Sequence, residues 1–298
     1  RRSKFVHYRP RTLIVNNLEY DHADIFPDIK AIQQQFHLLL RTVPSGGLIL
    51  APSEDDDVNE VLHQGCWAPV ARVGGKVVRK PVQLDTGEHW CVAQTSRDDT
   101  FEILLNDESQ GTVSWSLTGA HNRSNALNAI AAARHAGVPV AVSIAALNQF
   151  VGVKRRMEVI FEDPHTVIYD DFAHHPTAIR STLQGLRDAA SADEIIAIIE
   201  PRTHTMSLGT LQSDLATCCA AADRVIWFRG DNITWDLYQL AQDCVIDARV
   251  EDDIERLIDS LLAMPALNGD RRRHLVIMSN GAFGGIYKNI IRQFEARA

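Results

Sequence analysis

Apolar residues divide the chain into short runs separated by polar turns, and the rhythm of those runs changes along its length. Thr12-Leu13-Ile14-Val15 and Leu48-Ile49-Leu50 are continuous apolar runs that predict short buried strands. Between them Ile29, Ile32, Phe36, Leu39 and Val43 recur on one helical face, and that helix stops before Pro44 and Gly46-Gly47. The acidic run Glu54 to Asp57 predicts the start of a following helix, where its charge suits the helix dipole. Over residues 70–118 the pattern shortens to strands: Lys76-Val77-Val78, His89-Trp90-Cys91-Val92, Phe101 to Leu105 and Gly111 to Trp115. Turn residues separate them, which predicts antiparallel hairpins. An alanine-rich helix then runs to Gly137, and a second short helix covers 140–149.

Phe150-Val151-Gly152-Val153 reads as a joint, dividing the chain into domains 1–152 and 153–298 with a hinge at Gly152. Beyond it strands near 158–161, 167–169, 195–199, 224–228 and 274–278 alternate with helices. Ile179, Leu183 and Leu186 stripe one helix, Leu208, Leu211 and Leu215 another, and Ile286, Ile290 and Phe294 the last. That alternation predicts an α/β domain with a parallel sheet covered on both faces.

The 298 residues suffice for two domains, and 45% hydrophobic with 23% charged residues is the composition of a soluble globular protein. No apolar run approaches the roughly 20 residues of a membrane-spanning helix. A net charge of −8 argues against a general nucleic-acid or anionic-membrane surface. Cys66, Cys91, Cys218, Cys219 and Cys244 are odd in number and form no C-x-x-C, which favours reduced thiols and a cytoplasmic protein. The chain opens Arg1-Arg2-Ser3-Lys4 without an initiator methionine, as expected of a piece of something longer.

Four clusters carry candidate chemistry. In Tyr169-Asp170-Asp171-Phe172-Ala173-His174-His175-Pro176 an apolar strand ends on two carboxylates and two imidazoles, with proline suited to open a helix. Asp171 and His174 then sit at the carboxyl end of a strand, where open α/β sheets bind ligands, although a capped helix start reads equally well. Asp21-His22-x-Asp24 is either a metal-ligand set or a helix-start cap. His121-Asn122-x-x-Asn125 offers amides to a purine edge, or caps a helix. Lys154-Arg155-Arg156 is a phosphate clamp or a solvated basic patch.

In this order and spacing, Asn17 to Asp24, Gly119-x-His121-Asn122-x-x-Asn125-Ala126, Arg155-Arg156-Met157-Glu158 and Asp170 to Thr177 resemble the Mur ligases, ATP-dependent amide-bond-forming enzymes. The resemblance implies an incomplete central ATPase domain followed by a Rossmann-like α/β C-terminal domain. Arg2 to Pro10, Glu200-Pro201-Arg202-Thr203 and Ser279-Asn280-Gly281-Ala282-Phe283-Gly284-Gly285 are most similar to the branch joining UDP-N-acetylmuramate to the tripeptide L-alanyl-γ-D-glutamyl-meso-diaminopimelate. The family's phosphate loop, G-x-x-G-K-[ST], is not among these residues.

The resemblance also implies roles. Asn125 would bond the adenine of ATP and Asp171 its ribose, Arg156 would hold the transferring γ-phosphate, and His22 would ligate a magnesium ion. His174 would sit beside the attacking amine, with Arg202, Ser279 and Asn280 against the substrate. The nearest rival is the family's ligase for free L-alanine, which carries arginines where this chain reads Thr203-His204-Thr205-Met206. A rival of another class is a metal-dependent hydrolase built on Asp21, His22, Asp24, His174 and His175. A third reading is a non-catalytic binding module. Nothing in the sequence speaks to an oligomeric state.

Overall fold

The computed structural model describes residues 3–297, apart from 24, 76, 77, 79, 96, 98, 202–211, 232 and 234. It divides into two compact units, Arg1–Val151 and Gly152–Ala298.

In the first unit β1 (Thr12–Ile14), β2 (Leu48–Pro52), β3 (Val70–Val73) and β4 (Asp85–Gln94) lie side by side and parallel. β5 (Thr100–Leu105) and β6 (Glu108–Ser114) extend the sheet antiparallel. Between them Asn106 and Asp107 take φ of 51° and 65°, the pair of left-handed residues that a two-residue hairpin needs. The hairpin expectation thus holds for β4 to β6, but it is wrong for Val70–Val73, a parallel strand buried throughout. The run proposed at 76–78 has only Val78 among the described residues, and Val78 lies in no strand.

Successive residues of β2 point to opposite faces. Leu48 and Leu50 pack with Leu127 and Ile130 of α3 (Ala120–His135) and Ile144 of α4 (Val140–Leu147). Ile49 and Ala51 pack with Ile32 and Leu40 of α1 (Ile29–Leu40) and Val58, Val61 and Leu62 of α2 (Asp56–His63). Asp28 and Asp55 cap the two latter helices, each carboxylate accepting a backbone N–H at 2.8 Å.

The second unit holds β7 (Glu158–Glu162), β8 (Thr166–Asp171), β9 (Glu194–Ile199), β10 (Arg224–Phe228), β11 (Asp247–Glu251) and β12 (Arg273–Met278). Their spatial order is β11-β10-β9-β12-β8-β7, all parallel except β7 at the edge. The helices are α5 (Pro176–Ala189), α6 (Gln212–Cys218), α7 (Leu237–Asp243), α8 (Ile254–Leu262) and α9 (Ile286–Glu295). Ile195, Ala197 and Ile199 face α5, α6 and α7, whereas Ile196 and Ile198 face α8 and α9. Of the stripe expected at Leu208, Leu211 and Leu215, only Leu215 is described, buried in α6. β11 and α8 went unforeseen.

A half-buried relay of side chains ties β8 to β12. His274 Nε2–H donates to Asp193 at 2.9 Å. That leaves Nδ1 to accept the Tyr169 hydroxyl at 3.0 Å.

Two outcomes follow from this packing. Leu183 is wholly buried against β9, so Leu183→Ala should cost about 3 kcal/mol in urea unfolding. Burial pushes the Tyr169 phenol up to about 12 from the ordinary 10.0, so the fold favours its neutral form. That stabilisation is complete below the ordinary phenol value and lost as pH rises through about 12. Ultraviolet titration should therefore show a late tyrosinate wave that Tyr169→Phe diminishes; equal amplitude in both proteins would contradict it.

Candidate functional site

The strand order builds a crevice in the second unit. The chain leaves β8 toward α5 on one face and leaves β12, its neighbour, toward α9 on the other. Loops that part in this way open a ligand crevice at the carboxyl ends of the strands. The segment Asp171 to His175 follows β8, and Ser279 to Gly285 follows β12.

Beside these loops stands the turn Arg155–Met157. Arg155 and Met157 take φ of 59° and 52°, left-handed values for residues with a Cβ. Each costs roughly 1 to 2 kcal/mol against right-handed backbone. Four hydrogen bonds hold the turn. Arg155 N–H donates to Glu158 Oε2 at 2.9 Å, and Arg155 O accepts Phe172 N–H at 2.9 Å. Arg156 N–H donates to Val153 O at 3.1 Å, and Met157 N–H to Asp171 Oδ2 at 2.9 Å.

The two arginines have different fates. Arg155 Nε donates to both oxygens of Asp170, at 3.3 and 3.1 Å. Its Nη2 reaches the carbonyls of Ser279 and Gly281 at 2.7 and 2.9 Å and the Tyr287 hydroxyl at 3.3 Å. Burial pushes the Tyr287 phenol well up, so it meets the guanidinium as a neutral acceptor. Arg156 is exposed and makes no ion pair among the described residues. Both guanidiniums lie over the Phe172 ring, at 5.3 and 5.4 Å from its centroid. One charge is thus neutralised by Asp170, and the other has no ion pair among the described residues.

The remaining expected residues of this unit gather at the same strand ends. Asp171 is 2% exposed, and its Oδ1 accepts Ala173 N–H at 2.8 Å while Oδ2 holds Met157. His174 Nδ1–H donates to Phe172 O at 2.8 Å, which leaves the lone pair on Nε2. Its ring meets Phe172 edge-on at 5.1 Å. The Ser279 hydroxyl donates to Glu200 Oε2 at 2.6 Å and accepts Gly281 N–H at 3.0 Å, so it supports the loop. Asn280 Oδ1 is buried without a hydrogen-bond partner among the described residues and suits a donor. Arg202 lies outside the described residues, as do Thr203 to Met206. Sequence reasoning missed Tyr287 and gave Asp170 and Glu158 no part of their own. Arg155, read as half of a phosphate clamp or a solvated patch, is instead spent on Asp170 and two loop carbonyls, a part set by backbone that no spacing signals.

In the first unit Asn125 is exposed on α3, and its Oδ1 accepts Asn16 Nδ2–H at 3.4 Å. His22 is exposed in a left-handed turn, φ 55°, with its N–H on Asp21 Oδ1 at 2.7 Å. Asp24 lies outside the described residues, which include no group of three or more His, Cys, Asp and Glu fit to hold a metal. Magnesium prefers about six oxygen ligands, so these residues do not by themselves build its site.

Comparison with known proteins bears on the whole chain. Residues 1–133 match the Mur ligase middle domain, and residues 155–280 match the Mur ligase glutamate ligase domain. An Escherichia coli protein named UDP-N-acetylmuramate–L-alanyl-γ-D-glutamyl-meso-2,6-diaminoheptandioate ligase is 44% identical over 100% of this chain, which spans 62% of that relative. A UDP-N-acetylmuramate–L-alanine ligase of Desulfitobacterium hafniense is 31% identical over 76% of this chain and 48% of its own length. The crystal structure of a murein peptide ligase from Psychrobacter arcticus superposes with a TM-score of 0.68 at 36% identity, covering 98% of this chain and 59% of that one. The second match opens at Arg155 and closes at Asn280, the two ends of the crevice just described; the chain belongs to the Mur ligase family.

Proposed function

We propose that this chain is part of an ATP-dependent ligase that joins UDP-N-acetylmuramate to L-alanyl-γ-D-glutamyl-meso-diaminopimelate, a cytoplasmic step in reuse of cell-wall peptide. The observation that carries the chemistry is the Arg156 turn: a fixed guanidinium without an ion pair among the described residues, at the carboxyl ends of a parallel sheet. The greater likeness to the tripeptide ligase than to the alanine ligase supports the choice of substrate.

In this reading the muramate carboxylate oxygen attacks the γ-phosphorus of ATP, ADP leaves, and an acyl phosphate forms. The peptide amine then attacks the acyl carbon, its proton passes to a base, and phosphate departs. Arg156 balances the charge that builds on the transferring phosphoryl group. His174, with the Nε2 lone pair, is placed to take the amine's proton. Asn125 serves the adenine and Asp171 the ribose, while Arg202, Ser279 and Asn280 line the peptide side. Magnesium would shield the phosphates, and His22 is the residue of this chain that would help to hold it. Gly152, at φ 103°, serves as the hinge on which the second unit closes and excludes water from the acyl phosphate.

The 298 residues carry no G-x-x-G-K-[ST], the loop that cradles β- and γ-phosphates in this chemistry. Expressed as they stand, they should bind ATP without ligating. Calorimetry reads the first, and mass spectrometry for UDP-muramoyl-tripeptide reads the second; product above the no-enzyme control would defeat the account. In a polypeptide that also carries that loop, Arg156→Ala should lower kcat by roughly 10² to 10³-fold. A change in KM alone would remove Arg156 from the transition state.

A further inference from the structure

Arg156 is a long side chain on an exposed turn, and nothing in its own residue type would hold it in one place. Its neighbours do. Arg155 and Met157 on either side sit in left-handed backbone, and each donates its N–H to a different carboxylate. Asp171 ends β8, in register with Met278, and Glu158 begins β7, in register with Asp170. Both carboxylates are therefore fixed on strands rather than loops. Asp171 is buried and spends one oxygen on each side: Oδ2 on Met157 N–H, Oδ1 on Ala173 N–H.

The far side of the turn is tied as firmly. Phe172 donates its N–H to Arg155 O and offers its ring to both guanidiniums. A carboxylate acting only on a ribose would need no bond to the turn. Here, release of Met157 N–H would leave the left-handed backbone free to relax, and Arg156 would leave the Phe172 ring.

We propose that Asp171 and Glu158 are positioning residues for Arg156, holding the strained turn that sets its guanidinium at the strand ends. The proposal rests on the reading of Arg156 as the phosphate-binding cation, and it gives Asp171 a task independent of any ribose.

The test uses the 298-residue chain and reads the position of Arg156 without a ligand. The aromatic ring should shift the Arg156 Nε–H proton resonance upfield, a signal assigned by its loss in Arg156→Lys. In Asp171→Ala and in Glu158→Ala that resonance should return to the unshifted position, while amide signals of β9 stay in place. Asp171→Asn, which keeps one acceptor oxygen, should fall between. Where Asp171→Ala does not fold, Glu158→Ala, at a half-buried position of an edge strand, decides alone. An Arg156 resonance unmoved in the folded variants overturns the proposal.

A second arm titrates tripolyphosphate, which has no ribose. The same variants should bind it roughly tenfold more weakly, as Arg156→Ala does, and the Arg156→Ala/Asp171→Ala pair should lose no more than either alone. If the wild-type chain binds no tripolyphosphate while the resonance moves as stated, the positioning role stands and the phosphate role of Arg156 falls.

Discussion

The carboxyl edge of the second unit depends on one guanidinium. Arg155 joins Asp170 on β8, two carbonyls of the loop after β12 and the phenol at the head of α9. Among the described residues no backbone hydrogen bond crosses from that loop to the turn at the start of the unit, so this fork carries the connection. Arginine suits the task because its donors spread in a fixed plane; a lysine could meet one acceptor well but not four. Asp170 supplies the compensating charge, at 7% exposure, and removal of either partner would strand the other in poor solvent. Once Arg155 is committed in this way, the adjacent arginine is the one that stays exposed without an ion pair among the described residues.

β8 and β12, the two strands that carry the crevice, are also joined through the side chains of Tyr169, His274 and Asp193. Each of those groups is satisfied by its neighbours, which favours a rigid base. Rigidity below and open loops above is the division of labour that parallel sheets allow. Strand residues fix distances, and the segments beyond them are free to carry chemistry.

Much of this was legible in the sequence where burial is simple. Glu194 to Ile199 is buried throughout, and its apolar run reads as a strand covered on both faces. The end of β8 was equally plain, because an apolar run gives way to carboxylates and then to a proline that opens α5. Val70–Val73 was missed because Arg72 interrupts it. That arginine is 2% exposed, neutralised by Asp85 and bonded to Asn59, partners 13 residues away on either side. β11 was missed for the opposite reason. Asp247 and Arg249 stand exposed on an edge strand, whose alternation is easily taken for a polar loop. In the site, Arg155 and Arg156 are the same residue type in adjacent positions. Only the twist of the backbone between them, set by contacts distant in sequence, assigns one to structure and leaves the other exposed.

β12 has a consequence for how the molecule is made. It is the last strand among the described residues, yet it lies between β8 and β9, both synthesised well before it. Residues 200–272, which include β10 and β11, come between β9 and β12 and are already able to pair. Until Met278 leaves the ribosome, the isoleucine-rich edge of β9 and the inner edge of β8 both lack a partner. Edges of that kind recruit strands from other molecules. The growing chain is therefore most prone to association before β12 emerges, and that strand closes the sheet against its neighbours in the cell.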